Sequence, residues 1–379
     1  MPFSAGRPTI AQIDGAALRS NLAAVRSGLA PGVGLLAVVK ADAYGHGATL
    51  VAPLFERAGV DAFGAATVEE AVELRGAGVT KPIVVLTGAE PTQIEALLDY
   101  RLSVALLDAA MAQQMRPLLR GRRLSVHVKI DTGMGRLGVT PEELPALLQV
   151  VQGVPELSVE GIFSHFANAD LGNQEFAAYQ LQLFERAVAT ARSLGLRPRF
   201  LHLANSAAAL TWPATHFSLI RPGLALYGIA PVANCSLPLA PAMRVVTRIV
   251  QLKAVPAERP LSYGQTFVTR RPSRIATIPV GYADGYDRRL SNRAQVLVRG
   301  RRAPVVGAVC MDLTLVDVSD IPDVARGDEV VLWGRQGEDE ITVAEVAAWQ
   351  SSITYEVMTR LGKRVPRVLR DDDSGGTNG

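Results

Sequence analysis

Between about residues 33 and 225 the sequence alternates short apolar runs with longer amphipathic stretches, and this repeat limits the fold more than any other feature. Eight apolar runs have the length of buried strands; they are GLLAVVK, AFGAAT, PIVVLTG, LSVALLD, LSVHVKID, VEGIFSHF, FLHLANS and FSLIRPG. The stretches between them, such as VEEAVELRGAG, have the apolar spacing of helices packed on a parallel sheet. The repeat predicts an α/β fold, a (β/α)8 TIM barrel within residues 1–240.

After about residue 240 the pattern changes to closely spaced strands separated by Gly, Pro and charged turns. The runs are MRVVTRIVQLKAV, RIATIPV, AQVLVRG, APVVGAVCMDLTLVDV and DEVVLWG. They predict a mostly-β domain over residues 241–370, and the N-terminal strand at about 8–14 is a candidate to join its sheet. The polar residues 371–379 are predicted to be a disordered tail.

Composition excludes several classes of protein. Hydrophobic residues make up 48% of the chain and charged residues 20%, which is typical of a globular protein. The 39 Lys and Arg are scattered among 36 Asp and Glu, so a nucleic-acid partner is not expected, whereas a small anionic ligand fits this balance. Cys235 and Cys310 provide neither a disulfide framework nor a thiol metal site. Without a secretory signal or a membrane-spanning run, we expect a cytoplasmic protein. Because the two cysteines provide no metal site, we also expect no bound metal.

Reactive side chains close most of the apolar runs, where the strands of a TIM barrel present its active site. They are Lys40, Lys129 with Asp131, His165, Asn205 with Ser206, and Arg221. Lys40 follows an entirely apolar run, so burial of its amine would lower its pKa and favour a nucleophile that forms a Schiff base. Its position alone equally allows a lysine that extends to solvent at a strand end.

The segment AVVKADAYGHG resembles the cofactor-lysine signature of alanine racemases, in which the lysine carries pyridoxal 5'-phosphate (PLP). The resemblance continues, in family order from residue 38 to 367, through HVKIDTGMGRLG, SHFANAD, HLANSAA, IRPGLALYG, LSYGQTF, IPVGYADGY, VCMD and TYEVMTRLGKRVPR. It implies an enzyme that interconverts L- and D-alanine with PLP, supplying D-alanine for peptidoglycan. It also implies a homodimer with shared active sites.

The resemblance assigns cofactor contacts to Lys40, Tyr44, His165, Asn205, Ser206, Arg221, the backbone amides of Gly223 and Leu224, and Tyr355. Arg221 would face the pyridine nitrogen, and because a guanidinium only donates hydrogen bonds, that nitrogen would stay unprotonated. Simpler structural roles are a helix N-cap for Ser206, a core histidine for His165 and a surface turn for Arg221.

Racemisation needs two acid–base groups on opposite faces of the substrate. By resemblance Lys40 serves one face, acting on the D-isomer, and Tyr263 from the opposite subunit serves the other. Tyr282 resembles the inner gate of the entrance, and the Met311 amide resembles a donor to the substrate carboxylate. Alternatively, Tyr263 packs on the domain surface and Met311 fills a core.

Lys129 and Arg136 lie in a segment where some family members carry a carbamylated lysine that positions the arginine against the cofactor and the substrate carboxylate. An ion pair between Lys129 and Asp131 is the alternative. The chain departs from the family at Ala308, where many members have an arginine of the entrance corridor. Arg288 is a candidate to take over part of that role.

Other functions remain open at this level. A broad-specificity amino-acid racemase would share the scaffold, although such relatives tend to depart from the KxDTGMGR pattern present here. A PLP-dependent decarboxylase would lack the combination of AVVKADAYGHG and SYG. A PLP-binding carrier would have no use for residues 240–370. The sequence therefore favours an alanine racemase.

Overall fold

The structure is a computed structural model that describes residues 6–169, 174–232 and 235–371. The chain divides into two compact units. One runs from Ala17 to Ala240 and is called the barrel unit below. The other, called the β unit, combines the segment up to Ala16 with the segment from Pro241 onward. The predicted tail lies outside the described residues from position 372 onward.

The elements are numbered in chain order. The strands are β1 (Ile10–Asp14), β2 (Gly34–Val38), β3 (Ala62–Ala65), β4 (Ile83–Val85), β5 (Ser103–Leu106), β6 (Leu124–Lys129), β7 (Leu157–Phe163), β8 (Phe200–His202), β9 (Leu219–Ile220), β10 (Met243–Arg248), β11 (Gln251–Val255), β12 (Pro260–Leu261), β13 (Phe267–Val268), β14 (Ser273–Ile278), β15 (Gln295–Val298), β16 (Arg301–Pro304), β17 (Thr314–Asp317), β18 (Glu329–Gln336), β19 (Asp339–Ile341) and β20 (Arg367–Arg370). The helical segments are α1 (Gly15–Ser27), α2 (Lys40–Tyr44), α3 (Ala48–Arg57), α4 (Val68–Gly76), α5 (Ile94–Asp99), α6 (Ala109–Leu119), α7 (Leu144–Gln152), α8 (Gln174–Ser193), α9 (Ser206–Thr211), α10 (Val343–Trp349) and α11 (Thr354–Thr359). Short 3-10 turns lie at Pro91–Gln93, Pro213–Thr215, Leu224–Tyr227, Tyr263–Gln265, Tyr282–Asp284 and Arg288–Leu290.

Within the described residues of the barrel unit, eight parallel strands follow the order β8–β7–β6–β5–β4–β3–β2–β9. Backbone hydrogen bonds from Ser218 N to Leu201 O (3.2 Å) and from Arg221 N to Ala204 O (2.9 Å) join the two ends of this sheet. Each strand coincides with one of the apolar runs, because strands covered on both faces are apolar throughout. The predicted TIM barrel is confirmed.

Some helices of the barrel unit show a buried apolar face, and others begin with a side-chain cap. In α1, Leu18, Leu22 and Val25 are buried at helical spacing. Thr67 and Asp108 cap α4 and α6 by accepting hydrogen bonds from the amides three residues later. No helix in the described residues combines the length and apolarity that a membrane span requires.

The β unit is built mainly from strands, as predicted. Its principal sheet has the order β16–β15–β18–β10–β1–β20, with β19 paired to β18. In this sheet β1 is antiparallel to β10 and parallel to β20. A second sheet has the order β11–β14–β17, and β12 and β13 form a hairpin.

Two runs that the sequence predicted as single strands are divided in the structure. MRVVTRIVQLKAV becomes β10 and β11, which belong to different sheets. The division falls where Ile249 N donates to Asp328 O and Val250 N donates to Thr277 O. APVVGAVCMDLTLVDV is likewise divided between β16 and β17, and residues 305–313 lie outside any strand. Apolar alternation alone does not show where a chain changes sheets.

The backbone after Lys40 turns in the left-handed sense. Ala41, Asp42, Ala43 and Tyr44 have φ between 52° and 55°, a conformation that costs L-residues roughly 1–2 kcal/mol each. Hydrogen bonds hold this turn from both sides: Glu70 accepts from Ala41 N (2.7 Å), and the Asp42 carboxylate accepts from the amide that begins α3 (2.7 Å). The turn fixes the direction in which the chain leaves β2.

Replacing Ala41 by Gly should raise the free energy of unfolding by about 1 kcal/mol, because glycine adopts positive φ without the Cβ penalty. The matched control is Ala23→Gly, an exposed position in the right-handed helix α1, which should lower stability by about 0.5–1 kcal/mol. Urea denaturation of both variants measures the difference. A lower midpoint for Ala41→Gly than for the parent would contradict the strained turn.

Candidate active site

The reactive side chains predicted at the barrel mouth come from successive strands. Lys40 follows β2, Lys129 ends β6, His165 follows β7, Asn205 and Ser206 follow β8, and Arg221 follows β9. Because the strands are parallel, their carboxyl ends share one edge of the barrel. The contacts of Arg221 show how closely these groups approach one another.

Arg221 is buried at this edge. Its Nη1 donates to His202 Nδ1 (3.0 Å), and its Nη2 donates to the Ser164 carbonyl (2.7 Å), the Leu203 carbonyl (3.1 Å) and His165 Nδ1 (3.1 Å). Burial lowers the pKa of Arg221 to about 9, which still leaves it protonated at neutral pH. The alternative of a surface turn residue is therefore wrong.

The partners of Arg221 define the protonation of two buried histidines. An arginine can only donate, so His202 Nδ1 must accept and its proton must lie on Nε2. His202 Nε2 lies 2.8 Å from His127 Nδ1 and donates to it, which places the proton of His127 on its own Nε2. Burial, followed by the charge of Arg221, lowers the pKa of His127 to about 3 and that of His202 well below its usual value. Both rings are neutral.

His165 accepts from Arg221 and is also neutral. Burial and then the charge of Arg221 hold the pKa of His165 well below its ordinary value. The alternative of a core histidine with satisfied hydrogen bonds describes only part of this arrangement, because its partner is the buried cation at the barrel mouth.

Lys129 is a buried amine without an ion-pair partner in the described part of the chain. Its Nζ donates to the Ile130 carbonyl (3.3 Å) and lies 4.9 Å from the centroid of the Phe163 ring. The Asp131 carboxylate instead accepts from the amides of Gly133 and Gly135. Burial, followed by the charge of Arg221, lowers the pKa of Lys129 to about 7. Much of this amine is therefore uncharged at neutral pH.

Lys40 meets the conditions for a nucleophilic amine. Burial lowers its pKa, Arg136 and Arg221 lower it further, and Glu70 opposes this shift. Arg136 itself is exposed and lines a cavity of 680 Å3 with Asp108 and Glu143. The Lys40 side chain is half-buried, so the alternative of a lysine that extends to solvent at the strand end stays open.

Hydroxyl and amide groups after β8 and β9 form a small polar cradle. Ser206 Oγ accepts from Gly223 N (2.9 Å) and from Ala225 N (3.3 Å). A Cβ on Gly223 would lie 2.3 Å from the Tyr44 hydroxyl, so only glycine allows this hydroxyl to approach the backbone. Leu224 begins the following 3-10 turn. Backbone amides and hydroxyls arranged in this way suit an anion such as phosphate.

The cap of α9 differs from the alternative considered for Ser206. Asn205 is the N-cap, and its side chain accepts from Ala208 N (3.0 Å). Ser206 is the first helical residue, and its hydroxyl is directed to the backbone after β9. Asn205 therefore has a structural role that the sequence assigned to its neighbour.

The remaining predicted residues lie in the β unit and have large exposed fractions. Tyr263 is 74% exposed in the turn between β12 and β13, Met311 is 52% exposed and Tyr355 on α11 is 37% exposed. Tyr282 N donates to Cys310 O and Ala283 N donates to Met311 O (both 3.0 Å), so Tyr282 and Met311 are adjacent. Met311 is not core filler, and Tyr263 does not pack as a strand residue.

Tyr282 and Arg288 line a cavity of 290 Å3 with Asp287 and Arg360. Ala308 is buried, and its carbonyl accepts from Ser262 Oγ (2.6 Å). At this position the family commonly has arginine.

The described residues contain no cluster of His, Cys, Asp or Glu that could hold a metal ion.

Four residues that shape the site were not predicted from the sequence: His127, His202, Phe163 and Glu70. Each histidine lies in an apolar strand, and a buried histidine in such a strand needs a polar partner. That requirement was the available signal for His127 and His202. Glu70 gave no such signal in the sequence, because its hydrogen bond to Ala41 N depends on the left-handed turn after Lys40.

Family models match both parts of the chain: the alanine racemase N-terminal domain matches residues 13–231 and the alanine racemase C-terminal domain matches residues 242–369. The chain is 45% identical to the alanine racemase of Symbiobacterium thermophilum over 373 residues, covering 97% of this chain and 98% of the relative. It is 44% identical to that of Geobacter sulfurreducens over 370 residues, covering 96% and 97%.

Solved structures agree with these sequence relatives. The alanine racemase of Bacillus anthracis with bound L-Ala-P has a TM-score of 0.93 and 34% identity, covering 98% of this chain and 97% of that one. The alanine racemase of Bartonella henselae with covalently bound pyridoxal phosphate has a TM-score of 0.87 and 32% identity, covering 96% and 99%. This chain therefore belongs to the alanine racemase family.

Proposed function

We propose that this protein is a PLP-dependent alanine racemase that interconverts L- and D-alanine. One observation carries the proposal: the barrel mouth combines the desolvated amine of Lys40, a polar cradle at Ser206 and Gly223, and the buried cation Arg221. Family membership favours this activity over a decarboxylase or a PLP carrier. A broad-specificity racemase on the same scaffold is the competing function.

The barrel mouth fits PLP in its chemistry. Lys40 would hold the aldehyde carbon through its amine, and Tyr44, Ser206 and the amides of Gly223 and Leu224 would bind the phosphate. When bound, PLP withdraws electrons from the amino-acid Cα and so acidifies its proton. Arg221 would donate to the ring nitrogen, and His165 would lie beside the ring. By family resemblance Asn205 and Tyr355 complete the contacts.

Two residues would move the proton. Lys40 takes or delivers it on the face used by D-alanine, and Tyr263 does so on the face used by L-alanine. Arg136 and the Met311 amide would bind the substrate carboxylate. Tyr282 and Arg288 would narrow the entrance, which supports a preference for a small side chain.

Lys129 is proposed to carry a carbamate. An uncharged amine adds its lone pair to the carbon of CO2 and loses one proton, and the lowered pKa of Lys129 supplies that uncharged amine. The product is an anion beside Arg221 and Arg136, where it would reduce the repulsion among the cations.

We propose further that the protein is a homodimer in which each site borrows Tyr263, Tyr282 and Met311 from its partner. The support is a set of large apolar side chains that are exposed on the β unit: Tyr263, Val268, Tyr282, Met311, Leu313, Ile353 and Tyr355. Apolar surface of this kind is usually covered by a partner.

A cytoplasmic role in supplying D-alanine for peptidoglycan completes the proposal. The free cysteines Cys235 and Cys310 suit a reducing compartment.

Racemisation assays test the activity. The parent protein should convert L-alanine far faster than L-serine or L-lysine, and Tyr263→Phe should lose most of this activity because one face lacks its acid–base group. Chiral chromatography of the products gives the rates. Comparable turnover of L-lysine would contradict alanine specificity, and full activity of Tyr263→Phe would exclude a catalytic Tyr263.

Mixing two inactive variants tests the shared site. After Lys40→Ala and Tyr263→Phe chains are unfolded and refolded together, a mixed dimer regains one intact site, so activity should return to about a quarter of the parent value. Each variant refolded alone is the control. Sites formed within single chains would give no recovery.

Gly223→Ala tests the phosphate cradle. The added Cβ would displace the Tyr44 hydroxyl, and the loss of one or two hydrogen bonds to an anion should weaken PLP binding roughly tenfold to a hundredfold. Gly76→Ala is the matched control, because its Cβ would meet no atom within 4 Å. Equilibrium dialysis of PLP measures both variants. Equal affinities would show that the cradle does not hold the phosphate.

A further inference from the structure

The turn that carries Tyr263 has an unusual backbone. Ser262 has φ 62° and ψ −177°, a combination that residues other than glycine rarely adopt. Gly264 and Gln265 also have positive φ, at 71° and 51°. Such a turn persists only where the surrounding structure holds it in place, and outliers of this kind cluster at functional sites.

One side of the turn is held through Ser262. Its Oγ donates to the Ala308 carbonyl at 2.6 Å and lies 3.6 Å from Cys310 Sγ. Gly307 has φ 75°, and a Cβ there would lie 2.6 Å from Ser262 Cβ. Glycine at 307 therefore lets the serine sit against the backbone that precedes Met311.

The other side of the turn is held through Asn292. Its Nδ2 donates to Thr266 Oγ1 (3.0 Å), and its Oδ1 accepts from Gly307 N (2.5 Å). One carboxamide thus joins the end of the turn to the same segment that Ser262 contacts. Asn292 has φ 57°, which asparagine tolerates better than most residues.

Tyr263 itself has little support. Its side chain is 74% exposed, and in the described part of the chain it makes no side-chain hydrogen bond. Its direction must therefore be set by the backbone of the turn. We infer that Ser262 and Asn292 are positioning residues that fix the orientation of Tyr263 for proton transfer. This inference rests on the proposed function, in which Tyr263 acts on L-alanine.

Two variants remove these contacts. Ser262→Ala removes the hydroxyl that reaches Ala308, and Asn292→Gly removes both carboxamide contacts while still accepting positive φ. Asn292→Asp is the conservative rescue, because one carboxylate oxygen can accept from Gly307 N and the other from the Thr266 hydroxyl. Ser273→Ala is the matched control, since it removes another serine-to-carbonyl hydrogen bond in the β unit (Ser273 Oγ to Arg271 O, 2.9 Å).

The α-deuterium isotope effect on kcat/KM separates positioning from folding. A displaced Tyr263 makes its own proton transfer more rate-limiting, so the effect should increase with deuterated L-alanine and decrease with deuterated D-alanine. The value of kcat/KM should fall about tenfold to a hundredfold in both directions, as expected for a misplaced catalytic group. A variant that only reduces the amount of folded dimer lowers the rate without changing either isotope effect.

A second readout does not depend on activity. Hydrogen–deuterium exchange of the full-length protein should become faster over residues 262–266 in Ser262→Ala and Asn292→Gly. Asn292→Asp and Ser273→Ala should leave both exchange in this segment and the isotope effects as in the parent.

Unchanged isotope effects in Ser262→Ala and Asn292→Gly, with Tyr263→Phe inactive, would overturn the positioning role and leave the proposed function standing. Full activity of Tyr263→Phe would overturn the proposed function of Tyr263, and the positioning role with it. An isotope effect that increases with deuterated L-alanine and decreases with deuterated D-alanine, together with faster exchange in the turn, would establish both the positioning role and the function of Tyr263.

Discussion

The arrangement of the barrel mouth depends on the buried positive charge of Arg221. In the described part of the chain its partners are neutral, namely carbonyl oxygens and the Nδ1 atoms of His165 and His202. A buried cation without a counter-ion lowers the pKa of every basic group near it. Burial is the largest cause of the lowered pKa of Lys40, Lys129, His165 and His202, and the charge of Arg221 adds to it at each of them. Burial and this one cation together therefore favour uncharged amines and neutral imidazoles at the barrel mouth.

Strained backbone occurs beside both proposed acid–base residues. A left-handed turn follows Lys40, and a serine at positive φ precedes Tyr263. In each case hydrogen bonds to other segments of the same unit hold the turn. Glu70 accepts from Ala41 N in the first turn. In the second, Ser262 donates to the Ala308 carbonyl, and Asn292 accepts from Gly307 N. Such strain persists only where the surrounding contacts determine the conformation, and in the second turn it fixes the direction of Tyr263.

The barrel could be predicted because its strands are mainly apolar and recur at regular spacing, and because most of the apolar runs are closed by a reactive residue. The β unit was less predictable, since the run from Met243 to Val255 continues across a change of sheet that only partner strands define. The strand ends identified most of the candidate residues at the barrel mouth, and the family resemblance assigned their roles. It did not reveal the tautomers of His127 and His202 or the left-handed turn, because these follow from three-dimensional contacts between distant segments.

Arg221 is held as a pure hydrogen-bond donor by neutral histidines, and the arrangement of the barrel mouth depends on this. Nitrogen-15 NMR of the histidine side chains in the intact protein tests it most directly. Between about pH 6 and pH 9, His202 should remain neutral with its proton on Nε2, and His127 should do the same. An imidazolium signal from either residue, or a proton on Nδ1 of His202, would contradict this account of the barrel mouth.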